Sequence, residues 1–182
     1  PAFAAKGGTF EVVRLWVNLP AKDKTAKPGY QTLLASDIPS VALPDGAGTL
    51  RVIAGSYGDT SGPARTFTPV NIWDVRLGRD KSVTFDAPAG HTLSVLVLSG
   101  TVEINGSEVV REAQTVILGR EGGAITIEAN NDVKLLVLSG EPIDEPVVAH
   151  GPFVMNTVGE IKQAMLDFQN GKFGTIREAE TA

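Results

Sequence analysis

From Thr49 to Gly140 the chain is a succession of short apolar-rich runs, each closed by Gly, Asn, Asp or Pro. "TLRVIAG", "VNIWDVRL", "SVTFDA", "HTLSVLVLSG", "TVEI", "SEVV", "TVILG", "AITIEA" and "VKLLVLSG" predict strands, because period-two alternation buries one face of an extended chain. Asn105-Gly106, between "TVEI" and "SEVV", predicts a hairpin, since both residues tolerate the positive φ angles of a type I′ turn. "GREGG" (Gly119–Gly123) and "NND" (Asn130–Asp132) supply further turns. In "LSVLVL" both alternating faces are apolar, which predicts a strand covered on each side.

Before this region, "TFEVVRLWVNL" (Thr9–Leu19) predicts a strand stopped by Pro20. A polar, Pro/Gly-rich connector of about thirty residues follows, longer than a compact domain usually carries. After the strands the period changes. Thr157-x-x-Glu160 is a capping box, and Ile161, Ala164, Met165 and Phe168 form one apolar stripe of a helix that Asn170-Gly171 ends. The tail "REAETA" predicts fraying. "LVLSG" occurs twice, at Leu96–Gly100 and Leu136–Gly140, but the flanks differ; two core strands ending in the same turn explain it.

The expected fold class is therefore mainly β, a cupin-type double-stranded β-barrel or jelly roll with one C-terminal α-helix. The expected organisation is a crossing strand and connector over 1–48, then a cupin domain with its terminal helix over 49–182. The 182 residues suffice for one real core. With 20 Gly and 11 Pro, the composition suits many short strands. A net charge of −5 without a compensating basic run disfavours direct nucleic-acid contact, which needs cations to displace phosphate counterions. There is no cysteine, so thiolate chemistry is excluded, and no apolar segment reaches signal-peptide or membrane-span length. A cytoplasmic location is the default expectation.

A metal cupin would place two histidines one residue apart, then a glutamate, then a glycine seven positions on. With Gly100 as the glycine, the glutamate position is Leu93 and the histidine positions are Ala87 and Ala89, or Asp86 and Pro88. His91 misses both registers. A second motif framed by Gly123 and Asn130 puts Thr126 at its histidine position. A metal bound through imidazole and carboxylate needs three or four such groups together, and these positions do not provide them.

Other candidates are weak. His91 reads as a turn residue with a solvated ring, and His150 in "EPVVAHGPFVMNT" as a hydrogen-bonded structural residue fixing a Gly-Pro turn. Glu141, Asp144 and Glu145 read as solvated charges of a Pro-punctuated loop rather than a glycosidase pair. "GRDKS" (Gly78–Ser82) lacks the spacing of a phosphate loop, and "GREGG" lacks a dinucleotide fingerprint. Trp16, Trp73 and Phe67 read as core aromatics. The catalytic, cofactor-binding and metal residues expected in this chain are none.

"RLWVNLPAKDK", "PARTFTPVNIWDVRL" and "GEPIDEPVVAHGPFVMNTVGEIKQAMLDFQNGKFG" together resemble the pirin family across nearly the whole chain. The resemblance implies a bicupin: an N-terminal cupin domain holding iron or another divalent metal through three histidines and a glutamate, and a C-terminal cupin domain without it. It implies quercetin (flavonol) 2,3-dioxygenase activity in some full-length members and regulatory protein contacts, including transcriptional cofactor roles, in others. "LWVNLP" follows the metal domain's last ligands in that family, so no ligand carries over and this chain corresponds to the C-terminal part. Two functions follow as expectations: a non-catalytic half that supports a metal cupin domain, or a protein-interaction and regulatory module. The expected partner is the N-terminal cupin domain, a regulatory protein, or a second copy through apolar surface left on the first strand and last helix.

Overall fold

The computed structural model describes residues 5–174. Fourteen strands and one α-helix form along them. In chain order these are β1 (Ser40–Ala42), β2 (Gly48–Ala54), β3 (Ser56–Tyr57), β4 (Thr60–Ser61), β5 (Val70–Leu77), β6 (Ser82–Ala87) and β7 (Thr92–Ser99). Then come β8 (Thr101–Ile104), β9 (Glu108–Arg111), β10 (Thr115–Leu118), β11 (Gly123–Ala129), β12 (Val133–Gly140), β13 (Val148–His150), β14 (Phe153–Met155) and α1 (Val158–Gln169). Two compact units result: one is Ala26–Asp144, the other joins the segment up to Thr25 with the segment from Glu145 onward. This grouping sets α1 with the N-terminal segment.

The core of the first unit lies between two antiparallel sheets, ordered β1-β2-β5-β12-β7-β10 and β6-β11-β8-β9, and β3 and β4 form a small third sheet. Strand alternation sends Leu50 and Val52, Val75 and Leu77, Val95 and Val97, and Leu135 and Val137 inward from the larger sheet. Val83 and Phe85, Val102 and Ile104, and Ile125 and Ile127 enter the same core from the smaller one. The β-branched residues that dominate this set are stiff at χ1, suit the pleated surface and lose little freedom on burial. This is the expected mainly-β cupin architecture. The connector also contributes: β1 caps the larger sheet, and Leu43 and Ala47 are buried in the core.

Turn chemistry matches the sequence. Asn105 and Gly106 have φ of +52° and +64°, as the hairpin between β8 and β9 requires. Gly100 has φ +89°, and a Cβ there would sit 2.6–2.7 Å from Val133 and from the Asn131 and Asp132 oxygens, so only glycine joins β7 to β8. "LSVLVL" departs from expectation on its outer face, where Leu96 and Leu98 are only half-buried while Val95 and Val97 are buried.

The second unit contains the β13–β14 hairpin and α1, which pack against each other. Both halves of the capping box form: Glu160 N donates to Thr157 Oγ1 at 3.2 Å, and Glu160 Oε2 accepts from Thr157 N at 2.7 Å. Phe153, Phe168 and Phe173 cluster with ring centroids 6.1–6.3 Å apart. Contrary to expectation, Thr9–Leu19 forms no strand among the described residues. Val12, Trp16 and Val17 are exposed, Trp16 by 70%. The tail "REAETA" lies outside the described residues.

Candidate functional site

The sequence-selected polar residues do not converge. His91 sits in a turn, its N donating to Pro88 O at 3.2 Å, but the ring is not solvated as expected: the residue is half-buried and Nδ1 is buried without a partner among the described residues. His150 lies exposed at the end of β13, and its ring has no hydrogen bond to a described residue, so it does not fix the turn by side-chain bonding. Gly151, at φ +56°, shapes that turn instead. Glu141 and Asp144 are exposed, in keeping with a charged loop. Glu145 is not a solvated charge. Its Oε2 accepts from Ala21 N at 2.7 Å and from Asn156 Nδ2 at 2.9 Å.

"GRDKS" forms the β5–β6 turn, with Asp80 at φ +58°. Lys81 Nζ donates to Asp45 O at 3.3 Å and Asp80 N to Ala129 O at 2.8 Å, so the segment serves as a turn rather than an anion cradle. Of the aromatics expected inside, Trp73 is buried, but Trp16 and Phe67 are exposed, Phe67 by 55%. Neither belongs to a strand that could bring it to a core.

The Ala26–Asp144 unit contains a cavity of about 500 Å³ at the end of the sheets where β5 and β7 begin and β6 and β12 finish. Asn71 and Trp73 enter it from β5, Leu93 from β7, Phe85, Asp86 and Ala87 from β6, Ser139 from β12, and Tyr57 and Pro88 from loops and β3. Tyr57, Trp73 and Phe85 form an aromatic wall: centroids lie 5.4 Å (Tyr57–Trp73), 6.0 Å (Tyr57–Phe85) and 5.5 Å (Trp73–Phe85) apart, the first two edge-on. Asn71 is the polar hub. Its Nδ2 donates to Ser139 Oγ and its Oδ1 accepts from Ser56 N, both at 3.0 Å. Gly55, at φ +72°, permits the close approach, because a Cβ there would collide with the Asn71 carboxamide.

Asp86, Ala87, Pro88 and Leu93, four of the positions framed for metal ligands, line this cavity. Leu and Ala cannot ligate a metal, and a lone carboxylate beside a proline is not a donor set. Thr126, the position from the second motif, points away: it lies on the opposite face of β11 from Ile125 and Ile127, with its Oγ1 2.9 Å from Thr84 Oγ1. These residues do not fit a resident metal. Among the described residues no three His, Cys, Asp or Glu side chains gather where they could hold one. No helix among them is long and apolar enough to cross a membrane.

The cavity's polar residues escaped the sequence reading. Asn71 shares the parity of Trp73, Val75 and Leu77 in "VNIWDVRL", and Ser139 that of Leu135 and Val137 in "VKLLVLSG". A polar residue on the inward parity of a core strand was the available signal.

The profile of the pirin C-terminal cupin domain matches residues 72–174. The chain is 57% identical over 171 residues to a Pseudomonas aeruginosa protein named as a candidate quercetin 2,3-dioxygenase, a match spanning 94% of this chain and 59% of that protein. It is 38% identical over 171 residues to human pirin, across 91% of this chain and 58% of pirin. The crystal structure of quercetin 2,3-dioxygenase from Acinetobacter baumannii superposes with a TM-score of 0.85 at 46% identity, covering 89% of this chain and 56% of that one. The chain thus spans 59% and 58% of the length of these two curated relatives. With the domain profile running over 103 of its residues (72 to 174), the chain belongs to the pirin family and carries that family's C-terminal cupin domain.

Proposed function

We propose that this chain acts as the non-catalytic cupin half of a pirin-type quercetin 2,3-dioxygenase and supports a metal-bearing cupin domain. One observation carries the reading. Where a metal cupin keeps its ligands, the barrel presents Leu93, Ala87, Pro88 and a single carboxylate, Asp86, around a cavity walled by Tyr57, Trp73 and Phe85. Iron, or another divalent metal, then belongs to the other cupin domain of the full-length relatives, and oxygen chemistry with it.

The exposed apolar stretch around Val12, Trp16 and Val17 supports a role in contact with a partner. In this reading the partner is the metal-bearing N-terminal cupin domain. In its absence the same stretch drives self-association. A regulatory contact with another protein is the second reading, favoured by the same exposed apolar side chains of Val12, Trp16 and Val17.

Co-expression tests the choice. The part of the Pseudomonas relative that precedes its matched residues is produced together with this chain, which is 57% identical to that relative over the matched 171 residues. The proposal predicts a co-purifying complex that consumes quercetin, with neither piece doing so alone. Quercetin turnover by this chain alone would overturn it, and co-purification without turnover favours the regulatory reading.

A further inference from the structure

β6 is the edge strand of the smaller sheet. It pairs with β11 on one side, Thr84 opposite Thr126 and Phe85 opposite Ile125, and with no described strand on the other. In an antiparallel ladder the N–H and C=O of one residue point the same way, and the direction alternates along the strand. Ala129 N donates to Lys81 O at 2.8 Å, so Ala129 and, by alternation, Ile127 and Ile125 face β6. Thr126 faces β8 instead: its O accepts from Asn105 N and its N donates to Asn105 Oδ1, both at 2.9 Å. Val83 and Phe85 are therefore bonded to β11, while the N–H and C=O of Thr84 and Asp86 point to the free edge. These four groups have no hydrogen-bond partner among the described residues. The cavity of about 500 Å³ opens along this edge. Its lining runs from Thr84 to Pro88 without a gap, taking both parities of β6, as a cavity does when it follows a strand's edge rather than one face. Ser56, Tyr57 and Gly58 form the opposite bank.

We infer that the free edge of β6 is a strand-addition site for an extended peptide segment of a partner protein, laid antiparallel with a lysine or arginine opposite Asp86 and a small apolar residue opposite Phe85. Unpaired edge groups supply the affinity of such sites, and alternate side chains supply the selectivity. The direction follows the fold, since every ladder of the two main sheets is antiparallel. Alternation turns the residue opposite Phe85 inward, toward the apolar lining at Tyr57 and Leu93, and the residues opposite Thr84 and Asp86 outward. Asp86 is exposed, has no ion pair or hydrogen bond among the described residues, and is the one charged residue of the lining, so the position opposite it favours a cation. The site lies in the Ala26–Asp144 unit alone and does not depend on the proposed support of a metal domain.

The probe is the acetylated and amidated pentapeptide Val-Lys-Val-Thr-Val, added to the intact ¹⁵N-labelled chain. Saturable shifts are expected at the Thr84, Phe85 and Asp86 amides, with a dissociation constant of about 1 mM for so short a peptide. Hydrogen exchange at Thr84 and Asp86 should slow as their N–H groups become bonded. The same peptide N-methylated at its lysine and threonine, the residues that would donate to the Asp86 and Thr84 carbonyls, should bind about tenfold more weakly. Glutamate in place of the lysine should weaken binding about threefold, and that difference should vanish in Asp86→Asn. Absence of a saturable shift at these amides overturns the inference. So does equal binding of the N-methylated peptide, or a lysine preference that survives Asp86→Asn. Shifts at the same amides that follow the chain's own concentration and not the peptide's would assign the edge to a second copy, and would overturn it as well.

Discussion

Glu145 and Asn156 are joined by a 2.9 Å hydrogen bond from Asn156 Nδ2 to Glu145 Oε2, and the same oxygen accepts from Ala21 N at 2.7 Å. One carboxylate therefore ties the 3-10 turn at Ala21–Asp23 to the residue that precedes the cap of α1. Lys24 adds to this junction by donating to Asn18 Oδ1 at 2.6 Å. Charge-assisted bonds of this kind are stronger than neutral ones, and they locate the N-terminal segment without a β-ladder.

Glu145→Ala should destabilise the unit containing α1 by about 2 kcal/mol, the cost of two bonds to a half-buried carboxylate. Amide hydrogen exchange should then rise at residues 21–24 and 153–158 and stay unchanged in β5, β7 and β12. Unaltered protection at both places would show that the carboxylate is merely solvated.

The Glu160 carboxyl is held below its ordinary value, first by the Thr157 hydroxyl, which donates at 3.0 Å, and further by the backbone N–H groups of Thr157 and Asn156. A folded-state value below the unfolded one means that the unfolded chain binds the proton more tightly. The contribution is present above the unfolded value, about pH 4.3, and is lost as pH falls through the lower folded value. Asp167 behaves in the same sense, through Lys172 Nζ at 2.7 Å and then Gln163 Nε2 at 2.8 Å. Thr157→Ala should raise Glu160 toward the ordinary glutamate range in a ¹³C-carboxyl titration and cost about 1 kcal/mol of helix stability. A titration curve identical to the parent's would contradict the capping account.

Leu135 is fully buried between the two sheets. Leu135→Ala should cost about 2–5 kcal/mol in chemical denaturation, because the rigid strands around it cannot collapse into the space. The outward neighbour Leu138, which is half-buried, should cost clearly less on the same change. Equal costs would mean that the outer face of β12 is as well packed as the inner one.

If the Thr9–Leu19 stretch is the contact proposed for a partner or second copy, Trp16→Ser should abolish concentration-dependent association in sedimentation velocity without lowering the melting temperature. Association that persists unchanged in the variant would place the contact elsewhere.

Most of the barrel was legible because its strands obey period two and its turns carry their own chemistry, as at Asn105-Gly106 and Gly100. The helix was legible from Thr157, Glu160 and the stripe from Ile161. Thr9–Leu19 misled because strand composition records suitability for a sheet, while a ladder needs a neighbour that no local pattern specifies. The short β3, β4, β13 and β14 escaped because two or three residues carry no periodicity. Glu145 was misread for a related reason: its partners, Ala21 and Asn156, are far away in sequence or beyond a hairpin. The motif frame around Gly100 falls on four residues that line the cavity, Asp86, Ala87, Pro88 and Leu93, whereas Thr126 from the frame around Gly123 lies on the outer face. The indole of Trp73 read as ordinary core, since an unmet donor becomes visible only when its surroundings are known.

In the proposed role this cupin barrel supports metal chemistry without carrying it. The most direct test of that role is the metal content of the chain after incubation with ferrous iron under anaerobic conditions and removal of unbound metal, read by elemental analysis. Only trace iron is expected, because Leu93, Ala87 and Pro88 offer no ligands at the barrel mouth and Asp86 is one carboxylate alone. A stoichiometric iron retained by the chain would contradict it.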